Sequence, residues 1–95
     1  MAEKHIEAKF RRKIEAAGGL CYKWVSPGNS GVPDRIVLMP GGRVYFVELK
    51  TEHGKLSPIQ DRQISRLKLA GQTVFVAYGA GEAFDLAEKI VKGEI

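Results

Sequence analysis

The segment that decides the fold is GVPDRIVLMPGGRVYFVELK, residues 31–50. It holds two runs of branched and aromatic residues, 36–39 and 44–50, on either side of a Pro-Gly-Gly connection at 40–42. Runs of this kind, bounded by turn residues, are typical of β-strands, and the short connection predicts an antiparallel hairpin. These two strands are therefore expected to be neighbours in a sheet.

The length of the hairpin loop decides whether three ionisable side chains meet. A three-residue loop at 40–42 places Asp34 opposite Glu48, and side-chain alternation then puts Glu48 and Lys50 on one face. A two-residue turn shifts the register by one residue and sends Asp34 to the other face, unless a bulge near Pro33 restores it. Both registers are compatible with the sequence.

The rest of the chain predicts three helices and two further strands. Apolar residues at three- and four-residue spacing near the amino terminus indicate an amphipathic helix. Ser57 and Gln60 have the spacing of a capping box, with Pro58 suited to the first helical turn. The predicted elements are a helix at about 3–17, strands at 20–25, 36–39 and 44–50, a helix from 58 to about 70, a strand at 73–78 and a helix beyond Gly81.

This order, α-β-β-β-α-β-α, predicts an α/β fold with a four-stranded mixed sheet flanked by helices, as a single domain over residues 1–95. The formal net charge of +4 and the pI near 9.4 favour a polyanionic partner. The single cysteine, Cys21, has no second cysteine for a disulfide or a zinc site, so we expect it to be a strand or core residue. No apolar run is long enough to cross a bilayer and no signal peptide is recognisable, which predicts a cytoplasmic protein.

The three ionisable residues suggest a metal site. Two carboxylates held side by side repel each other, and a shared proton or a bound cation relieves that repulsion. Oxygen ligands select Mg²⁺ or Mn²⁺, so we expect the metal on Asp34, Glu48 and the backbone carbonyl of Leu49. Lys50 would orient or deprotonate a water that attacks a phosphodiester. Glu7 borders the apolar stripe of the first helix and is a candidate outer ligand.

Three blocks of sequence extend this argument: GVPDR at 31–35, VELK at 47–50 and GKLSPIQ at 54–60. Together with an acidic helix before them, they resemble a stand-alone VRR-NUC domain of the phage or bacterial type, a branch of the PD-(D/E)XK nuclease superfamily. The resemblance extends from the helix of Glu7 to the strand at 74–78. A lone Asp followed by E-x-K is weak evidence, whereas the blocks in this order are much more specific.

The resemblance implies a role for each matching residue: metal binding at Asp34 and Glu48, a catalytic lysine at Lys50, a supporting acid at Glu7 and a polar helix residue near the site at Gln60. Capping explains Gln60 equally well, and both roles can hold. It also implies a restriction-endonuclease-like αβββαβ core, Mg²⁺ or Mn²⁺ as cofactor, and a homodimer similar to Holliday-junction resolvases.

The expected function is that of a metal-dependent, structure-selective DNA endonuclease acting on branched DNA such as Holliday junctions. The alternatives are a non-catalytic nucleic-acid-binding accessory module and a subunit of a larger replication or repair complex. His5 and His53 have no partner at ligand spacing and are expected to face solvent. The candidate DNA-binding residues, which would contact phosphates, are Lys9, Arg12, Lys13, Arg35, Lys55 and Arg62.

Overall fold

The computed structural model describes residues 2–95 and confirms the predicted order of elements. One sheet has the strand order β1-β2-β3-β4, antiparallel from β1 to β3 and parallel between β3 and β4. The α/β class with a four-stranded mixed sheet is therefore confirmed. The elements are α1 Glu3–Ala16, β1 Leu20–Lys23, β2 Arg35–Met39, β3 Arg43–Lys50, α2 Pro58–Leu69, β4 Val74–Tyr78 and α3 Gly79–Lys92.

The hairpin between β2 and β3 adopts the three-residue loop. Met39 pairs with Arg43 and Arg35 pairs with Val47, which leaves residues 40–42 as the connection. The same register, extended by one residue, places Asp34 opposite Glu48 without a bulge. Of the two registers that the sequence allowed, the structure adopts the one that brings the ionisable residues together.

The main core lies between α1, α3 and one face of the sheet. Every second residue of β3 contributes to it, because side chains alternate between the two faces of a strand. Cys21 is buried in this core, as predicted, and burial raises the pKa of its thiol to about 11. The buried members of the core are Ile6, Phe10, Ile14, Cys21, Val37, Met39, Tyr45, Val47, Leu49, Ala77, Ala83, Ala87 and Ile90.

Helix α2 contacts β4 and buries Ile64, which lies outside the main core, as does the buried Val74. Its first turn has the predicted capping box. The Ser57 hydroxyl accepts a hydrogen bond from the Gln60 backbone N–H at 3.2 Å, and the Gln60 side chain accepts one from the Ser57 N–H at 2.9 Å. These bonds satisfy backbone groups that a helix start leaves without partners.

The second face of the sheet carries an apolar patch across β1, β2 and β3. Leu20 pairs with Leu38 and Leu38 with Val44, and the next row is formed by Tyr22, Ile36 and Phe46. Three of these side chains are substantially exposed: Leu20 at 45%, Tyr22 at 56% and Val44 at 42%. We call these six residues the sheet patch.

Two element boundaries differ from the prediction by two residues or more, and several others differ by one. Strand β1 ends at Lys23 instead of residue 25, although the Trp24 N–H still donates to the Asp34 carbonyl at 2.8 Å and the Trp24 ring packs on Phe46. Helix α3 begins at Gly79, before Gly81, and the Glu82 carboxylate of its first turn accepts the Tyr78 N–H at 3.0 Å. Among residues 2–95 no helix combines the length and apolar character needed to cross a bilayer.

A comparison of two glycines tests how the loop before β2 packs on α2. Gly31 has φ +86°, and a Cβ there would lie 2.9 Å from the Ile59 carbonyl carbon and oxygen; Gly41 has φ +89° and open space around it. Both Gly→Ala variants incur the cost of the left-handed conformation, but only Gly31→Ala adds a backbone clash. We expect its free energy of unfolding, from urea titration, to fall about 1–3 kcal/mol below that of Gly41→Ala. Equal losses would contradict this packing.

Candidate metal centre

Three carboxylates converge at the end of the sheet where β2 begins and β3 ends. Glu3 lies in the first turn of α1, Asp34 precedes β2, and Glu48 lies near the end of β3. Each offers an oxygen, and these oxygens lie within 4.8 Å of one another. The Leu49 backbone N–H donates to Asp34 Oδ2 at 3.3 Å, which helps to orient this carboxylate. The hairpin register therefore supplies two of the three carboxylates and α1 supplies the third.

Glu48 is buried with 1% of its surface exposed. Its Oε2 accepts a hydrogen bond from Gln60 Nε2 at 3.4 Å and lies 3.7 Å from Lys50 Nζ. Its Oε1 is also buried and has no hydrogen-bond partner within residues 2–95. Because a buried carboxylate oxygen without a partner is costly, this atom calls for a cation or a proton.

The charge state of Glu48 reflects this environment. Burial, together with charge repulsion from the neighbouring Asp34 carboxylate, raises its pKa from the ordinary 4.5 to about 8. The Lys50 ammonium lowers the pKa, and Glu3 adds a smaller increase. Near neutral pH the cluster thus holds a proton that a bound cation would displace.

The donor set fits a hard divalent cation. Glu3, Asp34 and Glu48 offer only carboxylate oxygens, which are the preferred ligands of Mg²⁺ and Mn²⁺. The cluster contains none of the nitrogen and sulfur ligands that zinc favours. The two histidines, His5 and His53, lie outside it and are exposed, as predicted. The residues and the unpartnered Glu48 Oε1 are therefore compatible with Mg²⁺ or Mn²⁺.

Gln60 combines the two roles that the sequence left open. Its Oε1 accepts the Ser57 N–H in the capping box, so the amide group presents Nε2 to Glu48. Lys50 reaches the same Glu48 oxygen from the end of β3, and its side chain is 15% exposed. Both residues thus lie beside the carboxylates, with Lys50 still open to a ligand.

Glu7, the acid expected from α1, lies outside the carboxylate cluster. Its Oε1 accepts a hydrogen bond from Arg35 Nε at 3.1 Å, and the exposed fractions of the Glu7 and Arg35 side chains are 16% and 14%. Glu3, one helical turn earlier, occupies the place expected for Glu7. The sequence offered no means of separating these two residues, because side chains four positions apart lie on the same side of a helix.

The candidate DNA-binding residues lie on different elements, and some are engaged within the protein. Lys13 forms an ion pair with Glu88 at 3.2 Å and lies over the Phe84 ring, while Arg35 pairs with Glu7. Arg12 is exposed and donates to the Ala8 carbonyl. Arg12 and three others are exposed and form no ion pair in the described part of the chain; the three are Lys9 on α1, Lys55 in the loop before α2 and Arg62 on α2.

Comparisons with known proteins agree with this arrangement. The family model described as the VRR-NUC domain matches residues 3–81. A protein named "Putative nuclease p44", from Acyrthosiphon pisum secondary endosymbiont phage 1, is 45% identical over 74 residues, covering 78% of this chain and 75% of its own. A solved structure titled "VRR_NUC domain" has a TM-score of 0.84 at 36% identity, covering 90% of this chain and 94% of its own.

A second solved structure, "VRR_NUC domain protein", has a TM-score of 0.69 at 18% identity. It covers 97% of this chain and 89% of its own. At this identity the likeness concerns the fold alone. The two structures together show that the arrangement of one sheet and three helices recurs in proteins of this description.

Metal binding and pH should be linked through Glu48. Because the folded-state pKa of Glu48 is about 8, above its ordinary value of 4.5, the folded protein retains a proton that the unfolded chain has released. Without metal, the free energy of unfolding should therefore fall as pH rises from about 4.5 to about 8. A divalent cation competes with this proton, so its stabilising effect should be larger at pH 8 than at pH 6.

Thermal unfolding in EDTA, Mg²⁺ and Mn²⁺ across this pH range measures both effects. Metal at a hundred times its dissociation constant should add about 2.7 kcal/mol of stability. For a domain of this size, that raises Tm by roughly 10 °C or more. The Glu48→Gln variant should lose this metal response. A metal shift that is independent of pH and retained in Glu48→Gln would place the cation elsewhere.

Proposed function

This chain belongs to the VRR-NUC domain family, and we propose that it is a metal-dependent nuclease that hydrolyses phosphodiester bonds in DNA. The observation that carries the proposal is the buried Glu48 Oε1, which has no partner in residues 2–95 and faces a cluster of carboxylates with a lysine beside it. A surface ion pair would not bury a carboxylate in this way. The name of the phage relative supports the same activity.

The proposed metal ligands are Asp34, Glu48 and Glu3, together with the backbone carbonyl of Leu49. The first three are supported by the convergence of their oxygens, and Leu49 by its position between Glu48 and Lys50 at the end of β3. Glu7 is assigned no ligand role, because Arg35 engages its carboxylate. When bound, Mg²⁺ or Mn²⁺ supplies Lewis acidity at the phosphate and at the attacking water.

Lys50 is the proposed catalytic residue outside the ligand set. In the reaction, the oxygen of water forms a bond to phosphorus while the bond from phosphorus to the leaving sugar oxygen breaks. Lys50 Nζ, 3.7 Å from Glu48 Oε2, orients the water as an ammonium or, when neutral, accepts its proton as it attacks, and the leaving sugar oxygen takes a proton from solvent. Gln60 donates to the same Glu48 oxygen and so holds this carboxylate in place.

Backbone recognition of branched DNA is the proposed substrate preference. Exposed cations such as Lys55 and Arg62 suit phosphate contacts, which position a protein on DNA without reading bases. We assign Lys9, Arg12 and Lys13 to phosphate contacts farther from the carboxylate cluster. Lys13, for example, lies ten residues along α1 from Glu3, a distance of about 15 Å. The phage source of the relative supports action in the cytoplasm of a bacterial or phage-infected cell.

A homodimer formed through the sheet patch is the proposed assembly. Apolar surface of this kind favours burial against a partner. The patch adjoins the metal cluster, because the row after Tyr22, Ile36 and Phe46 continues with Asp34 and Glu48. Two copies packed through their patches would present two sites on one assembly, which suits paired cuts in a four-way junction.

The Lys50→Ala variant tests the proposed nuclease. Cleavage of labelled four-way junction, 5′-flap and linear duplex DNA should require Mg²⁺ or Mn²⁺, stop in EDTA and favour branched substrates. Loss of the group that handles the water proton should slow cleavage by about 100-fold or more. Lys89→Ala, which removes an exposed lysine of α3, is the control and should cleave at the unaltered rate.

The alternatives give different results in this assay. DNA binding without cleavage under every metal condition would favour the accessory-module function. Cleavage that appears only with added replication or repair proteins would favour a subunit of a larger complex. Cleavage by Lys50→Ala at the unaltered rate would refute the assigned role of this lysine.

Sedimentation velocity tests the homodimer. We expect a dimer for the unaltered protein and a monomer for Val44→Glu, because a carboxylate buried in an apolar interface loses its hydration. Val44 is 42% exposed in the single chain, so its folding should tolerate the change. Leu69→Glu is the matched control, since Leu69 is 88% exposed on α2 and lies outside the patch. A Val44→Glu dimer would exclude the patch as the interface.

A further inference from the structure

The ion pair between Glu7 and Arg35 links α1 to the start of β2. Its two side chains are largely buried and 3.1 Å apart, which distinguishes it from the exposed pair of Arg11 and Glu15 on the same helix. Arg35 is held from a second side as well, because its Nη1 donates to the Cys21 carbonyl of β1 at 3.5 Å. The guanidinium is thus anchored to the sheet, and Glu7 is held against it.

The two partners stand next to two members of the metal cluster. Arg35 follows Asp34 directly, and alternation along the chain lets Arg35 point towards α1 while Asp34 faces Glu48. Glu7 lies four residues after Glu3 on the same side of α1. The ion pair therefore connects the segment that carries Asp34 to the helix that carries Glu3.

Glu3 lies in a first helical turn that has neither a side-chain cap nor a buried side chain. The N-cap residue, Ala2, has no side chain that can accept a backbone hydrogen bond. The first buried apolar side chain of the helix is Ile6, so Glu3 lies beyond the part of α1 that packs in the core. In contrast, α2 begins with a complete capping box.

From these contacts we infer that the Glu7–Arg35 ion pair is a positioning element that holds Glu3 against Asp34 and Glu48. It is neither a metal ligand nor a phosphate contact, although each residue alone has the chemistry for one of those tasks. The inference rests on the proposed metal site. It predicts a specific effect: when the ion pair is lost, Glu3 is no longer held against Asp34 and Glu48, and the affinity for metal falls.

Calorimetric titration with Mn²⁺ in the absence of DNA tests this effect in two matched variants. Glu7→Gln removes the charge of the positioning pair, and Glu88→Gln makes the same change in the 3.2 Å pair that joins Lys13 of α1 to α3. Disturbing a group that orients a ligand typically costs 10- to 100-fold in metal affinity, so we expect at least about a tenfold loss in Glu7→Gln. Glu88→Gln should change the affinity by less than about twofold.

A double-mutant cycle separates positioning from two simpler explanations. If Glu7 acts through Glu3, then adding Glu7→Gln to Glu3→Gln should weaken Mn²⁺ binding by less than about a further twofold. A long-range charge effect or a general loss of stability would instead reduce the affinity equally in both backgrounds. Arg35→Lys keeps the positive charge but changes the length and geometry of the side chain. Its effect on Mn²⁺ affinity should also be smaller in the Glu3→Gln background. This variant provides the test if Glu7→Gln does not fold.

Equal losses in both backgrounds, or an unchanged affinity in Glu7→Gln, would overturn the inference. These results are distinct from failure of the nuclease proposal. That failure would appear as an unaltered protein that binds no Mn²⁺, or as Mn²⁺ binding that Glu48→Gln does not affect, and it would remove the basis for the positioning role as well.

Discussion

Glu48 brings a carboxylate to a position with 1% exposure at the end of the central hairpin. Removing such a group from water is unfavourable unless hydrogen bonds, a counter-charge or a proton compensates. Gln60 and Lys50 engage one of its oxygens and leave the other without a partner in residues 2–95. Helix α2 supplies Gln60, the three-residue hairpin loop brings Asp34 opposite Glu48, and Lys50 supplies the counter-charge, so all three contribute to how this carboxylate is accommodated.

The apolar core and the carboxylate cluster occupy different parts of the fold. Helices α1 and α3 cover one sheet face with an apolar core, while the carboxylates gather where β2 begins and β3 ends. Strand β2, which Asp34 directly precedes, and strand β3, which carries Glu48, are central in the sheet and hydrogen-bonded on both sides, so backbone pairing fixes the positions of both residues. Only Glu3 comes from a helix terminus, where backbone pairing is weakest. The ion pair between Glu7 and Arg35 supplies the connection to the sheet that this helix terminus does not gain from backbone pairing.

The sequence predicted most of the fold because the relevant signals are local. The Ser57 capping box defines a helix start from adjacent residues and occurs as expected, and the Pro-Gly-Gly connection predicted the hairpin while leaving its register open. Two features depended on tertiary contacts. Glu3 and Glu7 share one side of α1, and only the reach of the helix past the sheet distinguishes them. Likewise, the sequence alone suggests that Arg35 contacts phosphate. The structure shows that its guanidinium is instead paired with Glu7.

The double engagement of Gln60 has a consequence for changes in this sequence. Glutamate and glutamine serve almost interchangeably at the third position of a capping box, and glutamate also suits the positive end of the helix dipole. At position 60, however, the group that faces Glu48 must donate a hydrogen bond, which a carboxylate cannot do when ionised. An exchange of Gln60 for glutamate, which capping alone would tolerate, therefore removes the donor to Glu48 and adds a further negative charge beside the carboxylate cluster.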